Sequence, residues 1–246
     1  MIELVHVTKR FGNLTAVDDI SLHIRAGELF ALLGPNAAGK TTALKILCGL
    51  IKPSSGTARL CGHDVQADPM QARQHLAFVP DFPFLYDKLT PEEFLRFTSR
   101  IFRMEAGYAE TAIRELIGRF HLEAHARKAI DTLSHGTRQR TALAAALLHH
   151  PKAIVIDEPM VGLDPEHARV VKDILKERSR AGAAVLMSIH QLAIAEEMAD
   201  RIGIIHKGRL VAAGSKLELR ELSGQNGPLE EVFLALTRET VDSPGN

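Results

Sequence analysis

One loop near the start of the chain has the residue types and spacing of a phosphate site. Gly34-Pro35-Asn36-Ala37-Ala38-Gly39-Lys40-Thr41 fits the pattern G-x-x-x-x-G-K-[ST] and lies between an apolar strand pattern and a helical one. Backbone N–H groups at such a helix start form a concave anion site. Lys40 can reach the β- and γ-phosphates, and Thr41 offers a hydroxyl to Mg²⁺. The loop, together with Thr42, therefore predicts the binding of a nucleoside triphosphate.

A pair of carboxylates closes a second apolar strand. Ile154-Val155-Ile156 runs directly into Asp157 and Glu158. An Asp at the carboxyl edge of a strand can hold Mg²⁺ through water, and the adjacent Glu can polarise an attacking water. Taken alone, the pair fits a solvated turn before Pro159 equally well. With the phosphate loop upstream, it indicates nucleotide hydrolysis.

Two further features fit phosphate chemistry and also fit ordinary structural roles. His190 ends the strand pattern Ala184–Ile189, where it could contact a γ-phosphate, although most of the twelve histidines must do something else. Ser134 and Gly136 precede a helical pattern at Thr137–His149, and this helix start is either a second anion site or a normal cap. Since the chain has one nucleotide motif, a second anion site would serve a partner chain.

Strand and helix patterns alternate around these residues. Strands are predicted at Ile2–Val7, Ala16–Ile24, Glu28–Leu33, Thr57–Leu60, Leu76–Val79, Ala153–Ile156 and Ala184–Ile189, with a hairpin of Arg201–His206 and Arg209–Ala213. Helices are predicted at Thr41–Leu50, Glu92–Arg103, Thr111–Phe120, Thr137–His149, Glu166–Arg180 and Leu192–Ala199. This order predicts an α/β fold with a parallel sheet covered on both faces. A helical subdomain is expected at about 90–150 and a flexible tail at 238–246.

Composition excludes several classes of protein. Thirty basic residues balance thirty acidic ones in 246 residues, which argues against a nucleic-acid binder or a polybasic membrane anchor. The two cysteines, Cys48 and Cys61, do not form a disulfide scaffold. No apolar run approaches the roughly 20 residues of a membrane span, and the first residues lack the pattern of a signal peptide. We therefore expect a cytosolic chain, soluble when isolated, whose membrane contact comes only through a partner.

In this order, the motifs resemble those of the ATP-binding domain of ABC transporters, over nearly the whole of residues 1–237. The correspondence places an adenine-stacking aromatic at Phe11, Walker A at Gly34–Thr41, the signature loop at Leu133–Gly136, Walker B with its catalytic glutamate at Ile154–Glu158, the D-loop at Gly162–Asp164 and the switch histidine at His190. Hairpin packing is the alternative role for Phe11.

Three positions depart from the family pattern. Ala37 replaces a Gly in the phosphate loop and would cost about 1 kcal/mol if that position needs a positive φ. Asp81 replaces the Gln of the Q-loop and can still ligate Mg²⁺. His135 replaces the first Gly of the signature, and the anion site led by Ser134 survives that change.

The resemblance implies a P-loop NTPase (RecA-like) core, an antiparallel β subdomain and an inserted helical subdomain. It implies ATP and Mg²⁺ as cofactors, with Thr41, Asp81 and Asp157 as metal ligands, and hydrolysis by water that Glu158 positions, assisted by His190. It also implies a head-to-tail dimer in which Ser134 and Gly136 of one chain contact ATP held by the other. A separate transmembrane permease would be the second partner, at the cytoplasmic face of the membrane.

Other functions remain open at this point. A soluble ABC ATPase acting on DNA or ribosomes is disfavoured because the chain lacks a long coiled-coil insertion and a second ATPase domain. A P-loop ATPase without the shared dimer is disfavoured by the signature loop and the D-loop. The stretch after Val79-Pro80, Asp81 to Thr90, resembles exporters more than nutrient importers, and the sequence leaves homodimer and heterodimer open.

Overall fold

A mostly parallel sheet forms the centre of the molecule in the computed structural model, which describes residues 1–239. Its strands are β3 (Leu29–Leu33), β6 (Leu76–Val79), β7 (Ala153–Asp157), β8 (Ala184–Ile189), β9 (Arg201–His206) and β10 (Arg209–Gly214). They lie in the order β10-β9-β3-β8-β7-β6, with only the β9–β10 pair antiparallel. The predicted parallel sheet is confirmed, and the carboxyl ends of its strands form one edge for ligands.

An antiparallel sheet packs beside the parallel one. It consists of β1 (Ile2–Phe11), β2 (Leu14–Ile24), β4 (Ser55–Leu60) and β5 (His63–Asp64), in the order β2-β1-β4-β5. The β1–β2 hairpin closes on the pair Phe11 and Leu14, so its turn projects one aromatic ring at the end of the sheet.

Helices cover the parallel sheet and form the subdomain inserted between β6 and β7. They are α1 (Lys40–Leu47), α2 (Pro69–Gln74), α3 (Pro91–Ile101), α4 (Ala106–Arg119), α5 (His135–Leu147), α6 (Pro165–Arg180), α7 (Leu192–Met198), α8 (Lys216–Ser223) and α9 (Leu229–Glu239). Helices α3, α4 and α5 lie within the segment predicted as helical, 90–150. Among the helices of the described chain, none has the length and apolarity to cross a bilayer.

The apolar residues of β3 alternate between two cores. Leu29, Ala31 and Leu33 pack into a cluster that includes the helical subdomain and the C-terminal helices. Phe30 and Leu32 face the other way, toward α1 and the antiparallel sheet. Since successive side chains of a strand point to opposite faces, a strand covered on both sides is apolar throughout.

Four elements were not predicted from the sequence: α2, β5, α8 and α9. Helix α9 buries Leu229, Val232 and Leu236 in the larger core. It continues through Arg238 and Glu239, the first two residues of the predicted tail, and 240–246 lie outside the described residues.

Candidate nucleotide site

The phosphate loop, the end of β7 and the β1–β2 hairpin meet in one open cleft of about 600 Å³. Most of the predicted site residues line it: Phe11, Asn36, Ala37, Ala38, Gly39, Lys40, Thr41, Thr42, Asp81, Asp157 and Glu158. The lining also includes residues that sequence reasoning did not single out, namely Leu14, Thr15, Ala16, Lys207 and Gly208. The fold thus brings the predicted base, phosphate and metal positions to one place.

Close backbone contacts fix the shape of the loop. Gly208 N–H donates to the Ala38 carbonyl at 2.9 Å, so the β9–β10 turn clamps the loop. A Cβ on Gly34 would lie 2.4 Å from the Ile205 carbonyl oxygen. Gly39 has φ +107°, and a Cβ there would lie 2.4 Å from a backbone oxygen of β2. Both positions therefore require glycine. Gly34 is required because the backbone of β9 approaches it closely, and Gly39 is required for a close approach and for its positive φ.

Ala37 adopts the left-handed conformation, with φ +62°. An L side chain in this region is strained by about 1–2 kcal/mol, because its Cβ approaches the backbone. The replacement of Gly by Ala at this position therefore carries the cost anticipated from the sequence.

Lys40 is buried and points back into its own loop. Its Nζ donates to the carbonyl oxygens of Gly34 at 2.6 Å and Pro35 at 3.1 Å. Gly34 and Pro35 do not line the cleft, and they contribute instead by holding this side chain. Burial lowers the pKa of Lys40, while the carboxylates of Glu158 and Asp157 act in the opposite direction.

Asp157 is buried at the end of β7 between two hydroxyl donors. Thr41 Oγ1 donates to Asp157 Oδ2 at 2.8 Å, and the Ser188 hydroxyl donates to Oδ1. Ser188 pairs in register with Asp157 on β8 and was missed, although it is the one polar residue of an otherwise apolar strand. Two of the three predicted metal ligands, Thr41 and Asp157, are in direct contact, and Asp81 borders the same cleft.

Glu158 and His190 contact each other. Glu158 Oε1 lies 2.8 Å from His190 Nδ1, and the Glu158 side chain is 15% exposed. Glu158 has φ +51°, and its N–H donates to the Ser188 carbonyl at 3.1 Å. A non-glycine residue held in this conformation is a form of local strain that recurs at functional sites. His190 does not itself line the cleft, but it contacts Glu158, which does.

Ser134 and Gly136 lie in a separate recess of about 290 Å³. Ser134 Oγ accepts from Thr137 N–H at 3.3 Å and caps α5, so the cap anticipated as one alternative is present. The recess is shared with Gly162 and Asp164, and a Cβ on Gly136 would lie 2.7 Å from the Gly162 carbonyl oxygen. The structure does not bring this loop to the phosphate cleft of its own chain.

Comparison with known proteins identifies the family. A family model described as "ABC transporter" matches residues 17–161. The chain belongs to the ABC transporter family. It carries the ATPase domain of that family, as the motifs predicted.

Two relatives show how much of the chain is similar in sequence to known proteins. The chain is 36% identical over 243 residues to "Probable multidrug ABC transporter ATP-binding protein YbhF" of Escherichia coli (strain K12), with 97% of the chain and 42% of that protein covered. The chain thus spans less than half the length of that relative. It is 38% identical over 220 residues to "Nod factor export ATP-binding protein I" of Burkholderia lata, with 89% of the chain and 72% of that protein covered.

Solved structures confirm the fold. An "ATP binding subunit of ABC transporter" superposes with a TM-score of 0.92 at 30% identity, covering 96% of this chain and 99% of that one. A dimeric ATP-binding cassette in a post-hydrolysis state, bound to ADP and Pi, superposes with a TM-score of 0.80 at 26% identity, covering 87% and 98%. The RecA-like core with its antiparallel and helical subdomains is therefore the fold of this chain.

Proposed function

We propose that this chain hydrolyses ATP to drive export through a separate membrane permease, at the cytoplasmic face of the membrane. The observation that carries the proposal is the position of Glu158. It lines the phosphate cleft and directly follows Asp157, the carboxylate that contacts Thr41. Its side chain also contacts His190. A carboxylate held there can polarise water toward a bound γ-phosphate.

Each side chain has a distinct part in the proposed reaction. Lys40 leaves the loop carbonyls and donates to the β- and γ-phosphates of ATP. Glu158 accepts a proton from the attacking water while the oxygen of that water bonds to the γ-phosphorus. The bond between that phosphorus and the bridging oxygen breaks, and ADP leaves with the electron pair. His190 holds Glu158 in position and can contact the γ-phosphate.

The residues present fit Mg²⁺. Within residues 1–239, no group of three or more His, Cys, Asp or Glu side chains could hold a metal ion alone. Mg²⁺ commonly uses one or two carboxylates together with water and phosphate oxygens, so Thr41, Asp157 and Asp81 beside a triphosphate suffice. When bound, Mg²⁺ would neutralise charge that develops on the phosphate oxygens.

The second recess supports a shared site. Ser134 and Gly136 lie at the start of α5, outside the phosphate cleft of their own chain. A helix N-terminus that begins with a hydroxyl residue suits an anion, and the ATP of a second chain would supply one. In this proposal two chains pair head to tail, so that each nucleotide contacts the phosphate loop of one chain and the Ser134 loop of the other.

An exposed aromatic segment favours a permease as the other partner. Phe82, Phe84 and Tyr86 are 79%, 93% and 54% exposed, and they follow Asp81, which borders the nucleotide cleft. The Phe82 ring lies 6.5 Å from the His135 ring at the second recess. A partner bound to this segment would therefore contact both nucleotide-facing regions. Export is favoured because relatives of this chain carry names of export and multidrug transport proteins.

The test is the variant Glu158→Gln. We expect its ATPase rate to fall about 100-fold or more, while its affinity for ATP is retained, because the amide keeps the shape and loses the base. Glu230→Gln, an exposed acid on α9, is the matched control and should hydrolyse ATP like the unaltered protein. A turnover near the unaltered rate in Glu158→Gln would remove Glu158 from the catalytic role.

A further inference from the structure

One face of the Phe11 ring is covered by a cation. Lys9 Nζ lies 4.9 Å from the ring centroid, inside the range of about 6 Å for a cation–π contact. The ring is 47% exposed and lines the nucleotide cleft. Lys9 does not line the cleft, so we take the ammonium to cover the face of the ring away from it, which leaves the other face for a ligand.

The ammonium is itself tethered. Lys9 Nζ donates to the Lys52 carbonyl at 2.7 Å. The same loop is tied to β1 on both sides of Lys9: Ser54 N–H donates to the Thr8 carbonyl at 2.7 Å, and Arg10 N–H donates to Ser54 Oγ at 3.0 Å. The position of the cation is therefore set by β1 and by the loop before β4, and the cation in turn restricts the Phe11 ring.

The electrostatics of this pair suit a purine. The faces of aromatic rings carry partial negative charge, so two stacked faces repel each other. A ring is a better stacking surface when electron density is drawn away from the face that meets the other ring. An ammonium over the far side of Phe11 draws π density toward itself. The face toward the cleft then becomes a better surface for an electron-rich base.

We propose that Lys9 is a positioning residue for the nucleotide base, acting through Phe11. The proposal rests on the nucleotide site proposed above and adds a residue to it. Lys9 contacts neither the phosphates nor the attacking water in this account. Its effect should therefore reach only ligands that carry a base.

The experiment measures dissociation constants by calorimetry for ATP and for inorganic tripolyphosphate, which has no base. Lys9→Met keeps most of the side chain and removes the charge. We expect it to weaken ATP binding, by at most the roughly two- to fivefold scale of a cation–π contact near the surface, and to leave tripolyphosphate binding unchanged, because only the base stacks on the ring. Lys9→Arg should restore ATP affinity, and Lys128→Met, at an exposed lysine of the helical subdomain, should match the unaltered protein for both ligands.

A double variant separates this proposal from its alternatives. In a Phe11→Ala background, Lys9→Met should have no further effect on ATP affinity, because Lys9 acts through the ring. Equal weakening of ATP and tripolyphosphate would overturn the proposal by making Lys9 a phosphate ligand. Unchanged ATP affinity in Lys9→Met would overturn it as well, and failure of the unaltered protein to bind ATP would instead contradict the proposed function.

Discussion

At the residue scale, the phosphate loop contains a strained side chain whose cost can be measured. Ala37 has φ +62°, whereas its neighbour Ala38 is buried and is not among the residues with positive φ. Ala37→Gly relieves the strain and adds freedom to the unfolded chain, so we expect a net gain of about 0.5–1 kcal/mol in the free energy of unfolding.

Urea denaturation measures this difference, and Ala38→Gly is the control in the same loop. Ala38→Gly also gains unfolded-state freedom, and it removes a methyl group buried in the core, so it should lose about 1–2 kcal/mol. A loss of stability in Ala37→Gly similar to that in Ala38→Gly would show that position 37 is not strained.

Lys40 carries the second residue-scale prediction. It is buried, and its ammonium already donates to two carbonyls, so it is placed to transfer those hydrogen bonds to phosphate oxygens. Lys40→Ala should weaken ATP binding by about tenfold or more, since a hydrogen bond to a charged group contributes about 1.5–3 kcal/mol. Calorimetry with unchanged affinity would place the phosphates elsewhere.

At the scale of elements, the contact between residues just after the ends of α3 and α5 should make stability depend on pH. The His149 ring stacks on Phe102 with centroids 3.6 Å apart and planes 7° apart. Burial lowers the pKa of His149 to about 4. Between about pH 6.5 and pH 4 the unfolded chain binds a proton at this histidine and the folded chain does not, so stability falls as pH falls through this window.

The measurement is the free energy of unfolding at several pH values from 7 to 4. In His149→Phe, which keeps an aromatic ring against Phe102, the decline over this window should be smaller than in the unaltered protein by about 2–3 kcal/mol. His6→Asn is the control, because the contact of His6 with Asp19 is exposed and therefore contributes little to stability, and because Asn tolerates the left-handed backbone of this position. Parallel profiles for His149→Phe and the unaltered protein would contradict the assignment.

Elements were predictable where periodicity and motif agreed. The strands leading into Gly34, Asp157 and His190 are short apolar runs, and a covered parallel sheet produces such runs. Helix α8 was missed although Ser215 and Glu218 form a capping box, which is a signal that the sequence displays. Helix α9 also had a signal in the spacing of its buried apolar residues.

The remainder of the site depends on tertiary contacts that no local pattern encodes. Lys207 and Gly208 line the cleft because the β9–β10 turn folds onto the loop and donates to Ala38. Ser188 reaches Asp157 because β7 and β8 are neighbours in register. The contact between Glu158 and His190 likewise arises from two strand ends that are 32 positions apart in the chain.

At the scale of the whole molecule, the arrangement of two recesses is the central feature. The phosphate cleft contains Lys40 and Glu158, and the recess around Ser134 lies apart from it. In the proposed head-to-tail dimer, each chain contributes one part of each shared site, and the two parts lie apart within a single chain. We therefore expect two chains to complete each other's sites.

Mixing two inactive variants tests this claim most directly. Lys40→Ala damages the phosphate loop, and Ser134→Arg blocks the second recess, so a heterodimer of the two has one fully intact site and one doubly damaged site. With random pairing, half of the dimers are heterodimers, and ATPase activity should recover to about a quarter of the unaltered rate. The Glu158→Gln change added to both chains should trap about one ATP per heterodimer, which reports the shared site without hydrolysis. If heterodimers form and neither activity nor trapped ATP rises above the separate variants, the site is not shared and the account is contradicted.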